Sequence, residues 1–398
     1  MSRREKRLER KKKRNGPDAL LLEMRRMLDL LGLPRKLVGR DDVVDHYLHS
    51  LESISLSPSC DDAAGRRLLN DIHIHGARAQ VTLSCGIQFP LKLLPGPYEV
   101  LLNLLQDRGV HREHPDPLVR GKLAQLLGNR RKDLAAVEPA FERSVTTALI
   151  IGSDITASAI YGARFGPLRA LVIERTSGQS RDFNIRGRSR QAFRLGGPAD
   201  GMKGMEWVDW ASDRVGLPPG RTMPVYVQAH AQTRTRERLK QRVGAPGAWH
   251  RDLIFTSLRN PVIHKGREPG TWLVEARVPS ATPRGLHKLG YFLVTVQGDA
   301  VLVHTFLFLT MDGTPEGTEL RRRLHLAPRD VAHLSLDTLE LFLDPSVRNS
   351  PALRNALVEA GCGGLLGLGD DWQETGLQGQ APYLERYLRL PAVPPTAR

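Results

Sequence analysis

Two apolar runs, residues 289–296 (LGYFLVTV) and 300–310 (AVLVHTFLFLT), are separated by Gln297-Gly298-Asp299 alone. A helix needs 3.6 residues for each turn and cannot reverse its direction in so short a span. Two strands joined by a Gly-containing turn can, so the pair reads as an antiparallel hairpin. Its Val, Phe, Tyr and Thr content suits a pleated, half-buried surface. In residues 301–310 both faces are apolar except at His304, Thr305 and Thr310, the pattern of a central strand covered on both sides. Period-two alternation sends His304 and Thr305 to opposite faces. Residues 271–278 (TWLVEARV) add a third strand and make a meander.

Upstream, residues 224–228 (PVYVQ) read as a short strand and residues 230–243 as a helix. His230, Arg234 and Arg238 stand four apart and stack along one stripe. Glu237 follows Arg234 by three positions. Ala229, Ala231, Leu239 and Val243 are its apolar residues, a narrower seam than a surface helix usually buries. Arg234, Arg236, Arg238, Lys240 and Arg242 also alternate at period two, which in a strand would line one face. The Gln, Arg, Glu, Lys and Leu content favours helix. Gly244 and Pro246 then end it.

The 398 residues carry 58 Lys and Arg against 43 Asp and Glu, a formal net charge of +15. A balance of this kind favours polyanionic partners, nucleic acid first. Two stretches hold most of the excess. Residues 1–14 place nine Lys and Arg against Glu5 and Glu9, and residues 164–194 place eight Arg against Glu174 and Asp182. The first is a solvated tail, an electrostatic arm for a phosphate backbone, or both. In the second, Arg181, Arg186, Arg188, Arg190 and Arg194 interleave with Phe183 and Phe193. That suits phosphate contact with base stacking, and equally a basic surface loop.

Cys60, Cys85 and Cys362 are far apart and form no C-x-x-C pair, which excludes a zinc finger and argues against a disulfide framework. A reducing cytoplasm is the expected location. No apolar run approaches the ~20 residues of a bilayer span, so no membrane partner is expected. No apolar segment with a cleavage site follows the basic start.

Length predicts two or three domains. The reading is a basic tail (1–16), an N-terminal helical and mixed domain (17–145), a central α+β domain (146–325) and a C-terminal helical segment (326–398). Helices are expected at 18–31, 40–53, 98–106, 118–134, 206–215, 328–343 and 351–360. Strands are expected across 68–89, 147–161 and 168–174, with 183–185 continuing a hairpin, a loop at 109–117 and a flexible loop at 196–204. Asp71, His73 and His75 alternate as metal ligands on a strand would, but no further donors complete a set, and a polar outer face explains them. Trp207 and Trp210 read as core anchors. The glycine-rich stretch 361–369 follows a helix and lacks the Lys-Ser/Thr of a Walker loop, so it reads as a helix C-cap. No metal or cofactor is expected.

His230-Ala231-x-x-Arg234-x-x-Glu237-Arg238, preceded by a strand and followed by a meander, resembles the helix of small toxin ribonucleases of the RelE/BrnT-like kind. The resemblance spans about residues 225–310. It implies an α+β fold in which a central antiparallel meander packs with a polar, basic helix. It also implies RNA binding and metal-independent ribonuclease activity, with the ribose 2′-oxygen attacking the adjacent phosphate. His230 is then the proton-transfer group. Arg234 and Arg238 hold phosphate oxygens, and Glu237 orients a partner. His304 is a second catalytic candidate, and Lys288, Arg186, Arg188 and Arg190 are further substrate-binding candidates. The alternative is a non-catalytic nucleic-acid-binding or scaffold protein of a mobile element or defence locus.

Overall fold

The computed structural model describes residues 17–39, 54–78, 80–83, 88–90, 96–107, 109–154, 159–165, 171–239, 249–279, 286–368 and 384. The basic tail, the helix expected at 40–53 and the Pro-rich end lie outside them. The fold is α+β, divided into two compact units: Met1–Gly152 with Tyr161–Thr176 and Pro198–Met205, and Ser153–Ile160 with Ser177–Gly197 and Glu206–Arg398.

In the first unit, helix Pro17–Leu30 sets Met24, Met27 and Leu28 into a core with Leu101, Leu102 and Leu105 of helix Gly96–Asp107. The stretch expected to form strands from residue 68 is a helix, Ala63–Arg78. Leu68 and Ile72 are buried four apart, and Asp62 accepts the Gly65 amide at 2.9 Å, so helical spacing and an N-terminal acceptor prevail over the local alternation. Two short strands follow, Gln80–Thr82 and Gln88–Pro90. The side chains of His73 and His75 lie outside the description. Residues 109–117, expected as a loop, include the short helix Val110–Glu113.

The helix expected at 118–134 continues as Pro117–Gly152 and takes in β-branched residues read as strand. Val145, Ala148 and Leu149 are buried at three- and four-residue spacing, so packing overrides propensity. Tyr98 donates to the buried Asp133 carboxylate at 2.8 Å. Ile54–Leu56 pairs in parallel with Leu171–Thr176, where the Cys60 thiol donates to the Ile173 carbonyl.

The second unit is built on one eight-stranded sheet. Its strands are β1 (Ser180–Ile185), β2 (Arg188–Arg194), β3 (Asp209–Ala211), β4 (Thr222–Gln228), β5 (Ile263–Lys265), β6 (Thr271–Pro279), β7 (Leu286–Gln297) and β8 (Ala300–Phe308). The order is β5-β6-β7-β8-β4-β2-β1, with β3 paired to β4. The expected meander is β6-β7-β8. Each pairing is antiparallel except β4 with β8. Residues 206–215, expected as a helix, are strand ends and a 3-10 turn. Val208 and Trp210 are buried while Asp209 and Ala211 are exposed, a period of two. Trp210 is the expected anchor, fully buried, its Nε1 donating to the Leu258 carbonyl at 2.7 Å. Gly196–Pro198, read as loop, is a short strand.

Helix α1 (Ala229–Leu239) leaves β4 directly and packs on β8, and α2 (Trp249–Arg259) packs on β6. Beneath them lie Val225, Val227, Phe292, Val294, Val301, Val303 and Phe306, all 0% exposed. After β8, Thr314 caps α3 (Pro315–Leu324) through the Gly317 amide. The segment read as one helix at 328–343 is two, Pro328–His333 and Leu339–Leu343, broken where Ser335 takes φ 55°. Helix Pro351–Glu359 ends at Gly361 with φ 80°, the left-handed cap expected there.

Candidate nucleic-acid interface

On the other face of the sheet Arg190 and His264 are exposed near its two ends, while Ala192, Gln228, Tyr226, Leu302 and Leu273 between them are buried. Following the registers across β2, β4, β8, β7, β6 and β5 places Arg190, Ala192, Gln228, Tyr226, Leu302, Thr295, Leu293, Leu273 and His264 on it together. Leu293, Thr295, Thr305 and Leu307 are half-buried there. At the β1–β2 end, Phe183, Ala192, Tyr226, Ala300 and Leu302 form a small apolar cluster. Phe183 packs edge-on to Tyr226 beneath the Arg181 guanidinium, so it is a core residue and not a stacking platform for a base.

The arginine-rich stretch is the β1–β2 hairpin. Arg186 and Gly187 make its two-residue turn with φ 51° and 79°, the left-handed pair that matches strand twist. Arg188 and Arg190 alternate along β2 toward this same face. All three arginines are exposed, and no carboxylate pairs with them among the described residues. Arg181 and Arg194 differ, being paired with Asp299 at 2.6 Å and Asp209 at 3.0 Å.

His230 lies exposed in the first turn of α1. Desolvation of its ring, together with the Arg234, Arg238 and Arg190 charges, holds the imidazole below its ordinary pKa, against the opposing pull of Glu237. Neutral at physiological pH, it suits a base. Arg234 is exposed and paired with Glu237 at 2.9 Å. Arg238, one turn further, is half-buried. It donates to the Phe306 carbonyl at 2.9 Å and contacts the Met311 sulfur, and burial lowers its pKa. The helical stripe is therefore real, but its last member is tied to the sheet.

His304 departs from the expected alternation. The β7–β8 register shifts by one residue there, so Thr305 faces Leu293 while His304 bonds Thr295 on the same face, at 2.7 Å through Nε2. Its Nδ1 meets the Gln228 side chain at 3.4 Å. Burial, and then Arg186, lowers its pKa. With both ring nitrogens engaged, proton exchange with a ligand requires breaking one of these bonds.

Lys288 stands elsewhere on the sheet, opposite Arg277. Burial opposes its charge, but hydrogen bonds with Glu316 and Tyr291 outweigh that and hold the ammonium above its ordinary pKa. Around it is a group that sequence reasoning passed over: His264, Glu275, Arg277, Tyr291 and Glu316. Glu275 is only 7% exposed, bonded by His264 at 2.7 Å and by Arg277. Burial pushes its carboxyl up, and its bonds to His264 and Arg277 with the Lys288 charge bring it below the usual range. Two charged residues at alternate positions in an apolar strand, Glu275 and Arg277, were the available signal.

No protein-family model, curated protein or solved structure matches the chain. Among the described residues no helix is long and apolar enough to cross a membrane.

Proposed function

We propose that this is a cytoplasmic RNA-binding protein whose contact surface is the β1–β2 hairpin with the start of α1. The observation that carries this reading is the set of exposed arginines without carboxylate partners among the described residues, Arg186, Arg188 and Arg190, beside the exposed His230 and Arg234. Cations held in buried pairs gain little from a phosphate, whereas the three hairpin arginines are available to one, and Arg234 is held only by an exposed pair with Glu237 that a phosphate can replace. Free thiols at Cys60 and Cys362 fit a reducing compartment.

The test is RNA binding by fluorescence anisotropy at several salt concentrations. Each lost contact with a single strand flattens the logarithmic salt dependence by about 0.7. Replacing both Arg188 and Arg190 by Ala should therefore lower the slope by about 1.4. An unchanged slope rejects the surface.

Metal-independent cleavage, as in the RelE/BrnT-like toxins, is a second reading. The exposed, neutral His230 among cations favours it. Incubating RNA with the protein in chelator separates cleavage from retention, and His230→Ala then tests this residue.

A further inference from the structure

Many cations of the second unit are neutralised within it. Arg277 pairs with Glu275, Lys288 with Glu316, Arg321 with Asp312, and Arg322 and Arg323 with Glu319. A different group gathers where β4 turns into α1. Gln228, the last residue of β4, stands opposite Ala192. Two positions further along the antiparallel chains come His230 and Arg190, so the register brings the first turn of α1 beside the hairpin. The Arg190 charge acts on the His230 ring, as do those of Arg234, Glu237 and Arg238. Arg234 lies one turn after His230 on the same stripe.

Arg190, His230 and Arg234 are exposed. Arg190 has no carboxylate partner among the described residues. Arg234 has only the exposed pair with Glu237. No hydrogen bond from a described residue engages the His230 ring. An anion placed among the three meets two guanidinium forks and an imidazole. A phosphate inside a strand is a diester with one negative charge. The phosphate at a strand end is a monoester with a second pKa of about 6, so at neutral pH it carries close to two charges. Two guanidiniums match that dianion, and the imidazole responds to it. Beside a dianion it takes a proton from solvent and becomes a third charge-assisted donor. A diester draws that proton less strongly, because it carries half the charge.

We propose that Arg190, His230 and Arg234 hold the terminal phosphomonoester of an RNA strand, while Arg188 and Arg186 hold the diesters that follow it. The inference rests on the RNA-binding reading. Arg188 and Arg190 project from one face of β2, about 7 Å apart at ~3.4 Å per residue, close to one phosphate step of an extended strand. Arg186, in the turn, lies beyond Arg188. A strand end seated beside α1 therefore sends its chain along the hairpin towards that turn.

The experiment measures binding of one RNA oligonucleotide to the full chain by fluorescence anisotropy. The oligonucleotide carries a 5′-phosphate, a 3′-phosphate, hydroxyls at both ends, or either phosphate capped as its methyl ester. At least one phosphorylated form should bind about tenfold or more tightly than the hydroxyl form, which shows the end that is held, and its methyl ester should lose most of that gain. Arg190→Ala and His230→Gln should each remove the preference. Arg188→Ala should weaken all forms alike and leave the preference intact. Equal affinity for phosphorylated and hydroxyl ends overturns the proposal, as does a methyl ester that binds as tightly as the free phosphate. A preference that survives Arg190→Ala and His230→Gln overturns it too. In each of these cases RNA binding by the hairpin stands. A chain that binds none of the oligonucleotides removes the RNA-binding reading and this inference with it.

Discussion

Replacing Arg238 by Ala separates a structural arginine from a binding one. Its guanidinium donates to the Phe306 carbonyl at 2.9 Å, on a residue that is 0% exposed, and burial disfavours its charge. A hydrogen bond from a charged group contributes roughly 1.5–3 kcal/mol net, and removing the donor leaves a strand carbonyl without it. The expected loss is about 2 kcal/mol, near thirtyfold in the unfolding constant. Arg234, one turn earlier, provides the comparison. Its pair with Glu237 joins side chains 45% and 50% exposed on one helix face. Such a pair contributes about 0.2–0.5 kcal/mol, so Arg234→Ala should be nearly silent in stability. Urea denaturation followed by tryptophan fluorescence measures both, and the midpoint should move for Arg238→Ala with the slope preserved. In RNA binding the order reverses. Arg234→Ala should weaken affinity, and Arg238→Ala should weaken it no more than Arg236→Ala. Equal stability of the two variants, or a larger affinity loss at Arg238, would refute the reasoning.

The two titrating groups of α2 should act in opposite senses. Burial raises the Asp252 carboxyl from 3.8 to about 6, so the folded state holds this proton more tightly and stability falls as pH rises through that window. Asp252→Asn should stabilise the protein by about 2 kcal/mol at pH 7 and by nothing below pH 4, checked by denaturation at both pH values. Burial lowers His250 from 6.5 to about 4, so stability is full above the first value and declines as pH falls towards the second; His250→Gln should remove that decline. Gly290→Ala should cost about 3 kcal/mol or more, since a Cβ there would stand 2.1 Å from the Leu307 carbonyl oxygen. A soluble Gly290→Ala protein with the wild-type urea midpoint would contradict that close approach.

What could be read from the chain follows from which contacts are local. The β7–β8 hairpin declared itself because its turn residues, Gly298 with φ 65° and Asp299, lie between the strands they join. The Arg-rich helix was legible for the same reason, its spacing being a property of adjacent turns. Reading failed where a distant partner decided. Residues 147–152 look like strand, yet burial of Val145, Ala148 and Leu149 keeps them helical. Residues 206–215 look like helix, yet Asp209, Trp210 and Ala211 pair with Pro224, Met223 and Thr222. The β7–β8 bulge at His304 is a one-residue mismatch between strands and leaves no mark in either strand read alone. The site divides in the same way. Arg188 and Arg190 could be chosen from sequence because being exposed, with no carboxylate partner among the described residues, is what a dense arginine run produces by itself. His264 and Glu275 stand eleven residues apart, on strands whose pairing turns them to one face. Their relation exists only once β5 has folded onto β6. Lys288 shows the reverse case: it was chosen for its charge, and Glu316, contributed by α3, neutralises it. Charge composition therefore suggests a class of ligand, while tertiary pairing decides which cations have no carboxylate partner among the described residues.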